Sequence, residues 1–187
     1  MKILKYIGLG LLAIVLVALV VTVLQSPQTH LERSVVINAP DSVIFEYVNN
    51  YQKFNAWSPW AKIDPQTQYT HEGPDAGIGA RMSWISNHPD VGSGSQWIVE
   101  SIPFTRVRSG MQFGEFEGEF FAQIDIEPAE GGQKVTWHYY GDVTSASMTG
   151  TLMGKFFGMF MDGMLGPQYE DGLKNLKSVA EDQQKSS

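Results

Sequence analysis

The chain has 187 residues, 43% of them apolar and 18% charged, which suits one domain with an ordinary core plus an appendage and excludes a disordered polymer. Nineteen Gly and nine Pro occur without a period, which excludes collagen-like and low-complexity classes. The absence of Cys excludes disulfide scaffolds, thiolate metal sites and cysteine nucleophiles, and a net charge of −7 disfavours nucleic acid as a partner.

The first residues form a separate piece. Lys2 and Lys5 are the only charges before Gln25, and Tyr6 to Leu24 is almost wholly Leu, Val, Ile, Ala and Gly. As a helix these residues reach roughly 28 Å, close to the ~30 Å hydrocarbon core of a bilayer. The run is longer than the apolar core of a signal peptide. Its exit, Val23-Leu24-Gln25-Ser26-Pro27, has no pair of small residues for cleavage. We therefore expect residues 1–26 to be an uncleaved single-span anchor and residues 27–187 one domain. Both lysines precede the span, so the N-terminus is expected in the cytoplasm. The rest is then expected on the periplasmic or extracellular side of the inner membrane. Without the two lysines of the anchor the −7 becomes −9, so attraction to anionic lipid is not expected.

Thr29 to Asn38 reads as a first strand with a slip of register near Ser34. Ala39-Pro40 ends it, and Asp41 or Ser42 is placed to cap a helix carrying Val43, Ile44, Phe45, Tyr47 and Val48. A helical turn is expected from Tyr51 to Ala56. Trp57-Ser58-Pro59-Trp60 then forms a tight loop, because a residue before Pro avoids the helical region.

Six strands are expected next: 66–72, 80–86, 95–102, 105–113, 117–127 and 134–141, separated by Gly and Pro. Alternation sorts their faces. Ala80, Met82 and Trp84; Val107, Met111 and Phe113; Phe116, Phe120, Ile124 and Ile126; and Val135, Trp137 and Tyr139 make an apolar face. The other face is polar, so the pattern is an antiparallel sheet covered on one side. The cover is the segment from Met148 to Ala180, where Leu152, Phe156, Phe157, Phe160, Met164, Tyr169, Leu173, Leu176 and Val179 recur at helical spacing. A kink or break is expected at Gly166-Pro167.

Several motifs invite chemistry without supplying it. His30, His71, His88 and His138 share no metal-ligand spacing, and His138 falls on the outer face. Glu115, Glu117 and Glu119 read as a solvated edge that blocks sheet pairing rather than as a cation ladder. Gly73 to Gly79 and Gly92-Ser93-Gly94 lie between strands, with no helix or Lys-Ser/Thr pair to make a phosphate loop. Gly150, Gly154 and Gly158 give a smooth helix face, or else a Met- and Phe-rich gate touching lipid.

The blocks Ile37-Asn38-Ala39-Pro40, Trp57-Ser58-Pro59-Trp60 with Asp64-Pro65, Gly77-Ile78-Gly79-Ala80 with Trp84, Gly92-Ser93-Gly94, Pro103 with Arg106, Val135-Thr136-Trp137 with Gly141, and Gly172-Leu173-Lys174-Asn175-Leu176-Lys177 occur in this order. From about Leu31 to Glu181 the chain thereby resembles the START-like, or Bet v 1-like (SRPBCC), superfamily, in the manner of bacterial polyketide cyclase/dehydrase-type proteins. The resemblance implies an α+β helix-grip: a curved antiparallel sheet wrapped around a long C-terminal helix, with a cavity between them. It maps no catalytic residue onto this chain and implies no cofactor.

The expected ligand-binding set is therefore Trp57, Trp60, Trp84, Met111, Phe113, Phe120, Trp137 and Tyr139, met from the helix by Phe156, Phe160 and Met164. The ligand expected there is a lipid or hydrophobic small molecule. A cyclase- or hydrolase-like enzyme would need a buried polar group, with Thr136, Tyr139, Arg106 and Ser109 the nearest candidates. A protein-interaction module would use residues 148–166.

Overall fold

The computed structural model describes residues 2–186 apart from 115, 117 and 146. The elements in chain order are α1 (Lys2–Leu24), β1 (Gln28–Ile37), α2 (Asp41–Val48), α3 (Tyr51–Phe54), α4 (Trp60–Ile63), β2 (Gln68–Glu72), β3 (Arg81–Ile85), β4 (Ser93–Ile102), β5 (Arg106–Phe113), β6 (Glu119–Ala129), β7 (Gly132–Asp142), α5 (Met148–Gly158) and α6 (Met161–Ser186). All strands join one antiparallel sheet in the order β1-β7-β6-β5-β4-β3-β2. Consecutive strands from β2 to β7 are neighbours, as a meander of short turns dictates, and β1 closes the far edge against β7.

The alternating residues do pack inward. Met82, Ile98, Val107, Met111, Phe120, Ile124, Ile126, Val135, Trp137 and Tyr139 are buried, with Ile44 and Val48 of α2 and Tyr169, Leu173, Leu176 and Ala180 of α6 against them. The acidic row is described only at Glu119, where it starts β6; Glu115 and Glu117 lie outside the described residues. Phe116 departs from the expected inner set. It precedes β6 and is exposed, because the strand's pairing begins at Glu119.

Three further local expectations are corrected. β1 pairs with β7 over its whole length without a slip. The alternation looks broken because Arg33 takes an inward position, where its guanidinium donates to Asp162 (2.8 Å) and Glu170 (2.9 Å) of α6. The α2 N-cap is Pro40 rather than Asp41 or Ser42, and no side chain caps it. The helix break falls at Met159–Phe160, and Pro167 lies inside α6. Pro167 sits near the start of a long helix, where it removes one bond, and the residue before it is Gly166, which has no Cβ to meet the proline ring.

The far end of α6 is tied to the end of β1. Lys177 Nζ donates to the Val36 carbonyl (2.6 Å), and Glu181 accepts from the Asn38 backbone N–H (2.9 Å). α1 stands apart from this core. Its Lys5–Leu24 stretch, of mean hydropathy 3.0, is long and apolar enough to cross a membrane, a property shared with signal sequences, and nearly all of it is exposed.

Candidate functional site

The Trp57-Ser58-Pro59-Trp60 block is fixed before any ligand is considered. Trp57 is buried; its indole N–H donates to the Tyr47 carbonyl (3.2 Å), and its own carbonyl accepts from Asn175 Nδ2 (3.1 Å) on α6. Lys62 Nζ donates to the other end of the same Asn175 amide (2.6 Å). Aromatic rings continue from this block into the interior. Trp57 meets Trp137 edge-on (5.1 Å), Trp60 meets it edge-on (6.0 Å), and Tyr169 of α6 stacks flat on it at 3.9 Å. Gly172 permits this close approach of α6: a Cβ there would lie 2.7 Å from the Trp137 ring and 3.1 Å from Pro59.

Between these rings and the sheet is a cavity of about 220 Å³. The sheet supplies Tyr69, Met82, Trp84, Gln96, Met111, Phe113, Ala122, Trp137 and Tyr139. The helical side supplies Phe54, Ser58, Trp60, Leu165 and Tyr169. Asp90 and Val91, on the β3–β4 loop, form a rim, and exposed Asp90 marks where the space meets solvent. Trp84, whose indole N–H donates to the Val91 carbonyl (3.3 Å), ties that loop to the wall.

Six of the eleven expected ligand-binding residues thus stand on this wall: Trp60, Trp84, Met111, Phe113, Trp137 and Tyr139. Trp57 lies behind Trp137, and Phe120 lies between Phe113 and Tyr139 as buried packing. Phe156, Phe160 and Met164 do not meet the sheet. They are 42, 51 and 65% exposed, because the break at Met159–Phe160 ends α5 and turns this stretch outward. Residues further along α6, Leu165 and Tyr169, fill the place assigned to them. The sequence reading also missed Gln96 and Tyr69. Gln96 stands on the inner face between Met82 and Met111, a polar residue in an apolar row, and only strand register reveals it.

The polar groups of the cavity are donors rather than bases. Burial pushes the Tyr139 phenol up to about 12, and full burial pushes Tyr169 upward as well. Both stay neutral and able to donate a hydrogen bond at ordinary pH. Of the enzyme candidates, Ser109 is engaged by the Tyr51 hydroxyl (2.8 Å) and Arg106 by Asp125 (2.6 Å). Thr136 alternates with Val135 and Trp137 and so belongs to the outer face. Among the described lining residues the sole carboxylate is Asp90 on the rim, so no acid–base couple faces the interior.

The histidines are less scattered than their numbers suggest. Although the four share no metal-ligand spacing along the chain, across the β1–β7 ladder His30 Nε2 lies 3.3 Å from His138 Nδ1 on the outer face, with Glu32 beside them.

A helix-grip sheet closed by a long C-terminal helix over an apolar cavity defines a class of hydrophobic-pocket domains. Within that class, residues 28–181 match the family described as polyketide cyclase / dehydrase and lipid transport, and the chain belongs to it. No curated protein matches the sequence. Solved structures share the fold at low identity. The di-domain ARO/CYC StfQ of the steffimycin biosynthetic pathway is 12% identical with a TM-score of 0.61, covering 83% of this chain and 51% of its own. A protein from Thermobifida fusca is 18% identical with a TM-score of 0.59, covering 81 and 92%. Ara h 8.0201 is 12% identical with a TM-score of 0.53, covering 82 and 97%.

Proposed function

We propose that the domain binds a small lipophilic molecule, or the end of an acyl chain, in the cavity between sheet and α6. The observation that carries this reading is a cavity of about 220 Å³ whose walls are mainly aromatic and thioether side chains. At ~30 Å³ for one water, it has the room of roughly seven, below the 300–1,000 Å³ of pockets for drug-sized ligands. One ring system or a short length of chain fits; a whole phospholipid does not. The phenols of Tyr139 and Tyr169 and the amide of Gln96 give such a guest a polar end to orient against. The family's description, which includes lipid transport, supports the same reading. The neutral phenols, with no base facing the interior among the described lining residues, support binding over proton transfer.

In this reading α1 is a single-span anchor with its N-terminus in the cytoplasm and the domain held against the outer surface of the inner membrane. Support comes from α5. Lys155 Nζ donates to the Val23 carbonyl at the end of α1 (3.1 Å), and Met153, Phe156, Phe157 and Phe160 are exposed beside it. An apolar surface at the level where the span ends faces lipid. Native mass spectrometry of the full chain, purified from membranes in mild detergent, tests the proposal. A discrete small hydrophobe should remain bound, and a chain that is always empty overturns it.

A further inference from the structure

We propose that His30, Glu32 and His138 bind a divalent transition-metal ion of the zinc class on the outer face of the sheet. Strand register gathers the three residues. In the β1–β7 ladder His30 pairs with Tyr140 and Glu32 with His138, so alternate residues of two adjacent strands share one patch. His138 Nδ1 lies 3.3 Å from His30 Nε2 and 3.2 Å from Glu32 Oε2, and the third side of the triangle is 3.9 Å. The circle through three atoms so spaced has a radius of about 2.0 Å, which matches the 2.0–2.2 Å bonds of Zn²⁺ to imidazole nitrogen and carboxylate oxygen.

The proton pattern points the same way. His138 Nε2 lies 3.2 Å from Asp125 Oδ2, and the His138 and Asp125 side chains are only 13 and 16% exposed. Asp125 is itself fixed by Arg106 Nε (2.6 Å) and Gln123 Nε2 (2.8 Å). With Nε2 turned to Asp125, Nδ1 faces both the Glu32 carboxylate (3.2 Å) and His30 Nε2 (3.3 Å). A single proton joins only one pair of these three atoms, whereas one metal ion engages all three together. Carboxylate–histidine–metal is the arrangement by which an outer carboxylate sets the tautomer of a ligand. The ring of His30 is held as well, stacked on Tyr140 at 4.7 Å. Half-exposed His30 and Glu32 leave the fourth position to water, as in three-ligand zinc sites.

The test uses the untagged full chain in detergent, titrated with Co²⁺ while its visible d–d absorption is followed, and with Zn²⁺ by calorimetry. One ion per chain is expected. His30→Gln and Glu32→Gln should each weaken binding by more than the 10–100-fold expected of Asp125→Asn, the orienting residue. His71→Gln with His88→Gln should leave binding intact. Glu32→Gln alters an exposed side chain, so it decides the matter if a histidine variant misfolds. Wild-type binding no tighter than that of the His30→Gln/His138→Gln double variant overturns the proposal. So does loss of the site in the His71/His88 variant. Unchanged affinity in Asp125→Asn refutes the orienting role.

Discussion

Replacing Ala122 by Leu distinguishes a cavity from a packed core by the sign of one measurement. Ala122 stands on the inner face of β6, paired with Ser109 and Tyr139, and contributes to the cavity wall. Leucine adds three carbon groups. Taken at about the ~30 Å³ of a water each, they occupy roughly two fifths of the 220 Å³ space. If that space receives them, burial at ~0.8 kcal/mol per group stabilises the fold by about 2 kcal/mol. If the site were closely packed, the same groups would cost about 1–3 kcal/mol in strain. At ~2–4 °C per kcal/mol for a chain of this size, the first case raises Tm by roughly 4–8 °C and the second lowers it by several degrees. Thermal unfolding followed by near-ultraviolet circular dichroism reads the sign, and native mass spectrometry of the same sample reads occupancy. The expected result is a higher Tm with loss of the bound hydrophobe. A lower Tm with the hydrophobe retained would refute the cavity argument.

Three other outcomes are expected. Gly172→Val should destabilise the domain by about 1–3 kcal/mol in urea denaturation, since its Cβ would press on Trp137 and Pro59, and unchanged stability would mean α6 does not pack so closely. The phenols of Tyr51, Tyr139 and Tyr169 are raised by burial, so the folded chain should hold them neutral where the unfolded chain ionises near pH ~10. Their contribution to stability is complete below that pH and declines as pH rises through the folded values; a native phenolate absorption titration in which all seven Tyr ionise together near pH 10 would contradict this. Because the chain has no Cys, Met153→Cys takes a single environment-sensitive dye; in vesicles its emission should shift to the blue and be quenched by brominated phospholipid, and a water-like spectrum would remove α5 from the bilayer surface.

The sheet was readable because Gly and Pro punctuate short alternating runs, and period two assigns each side chain a face. On the cavity wall, Met82, Trp84, Met111, Phe113, Trp137 and Tyr139 follow from that rule alone. It fails where a residue serves a distant partner. Arg33 looks like a slip in β1 only because it turns inward to two acids more than 120 positions away. Gln96 looks ordinary until its register beside Met82 and Met111 is known. The Phe156–Met164 stretch has helical spacing, but spacing does not say where a helix breaks, and the interruption at Met159–Phe160 decides which residues face the sheet. The His30–His138 pair is hidden for the simplest reason: 108 residues separate them, and only the β1–β7 ladder joins them.

Only Gln25, Ser26 and Pro27 lie between α1 and the edge strand β1. Fully stretched, three residues cover about 10 Å. With α1 in a bilayer, a leash that short keeps the start of β1 within one layer of lipid headgroups, so the domain stays beside that bilayer instead of ferrying cargo across a compartment.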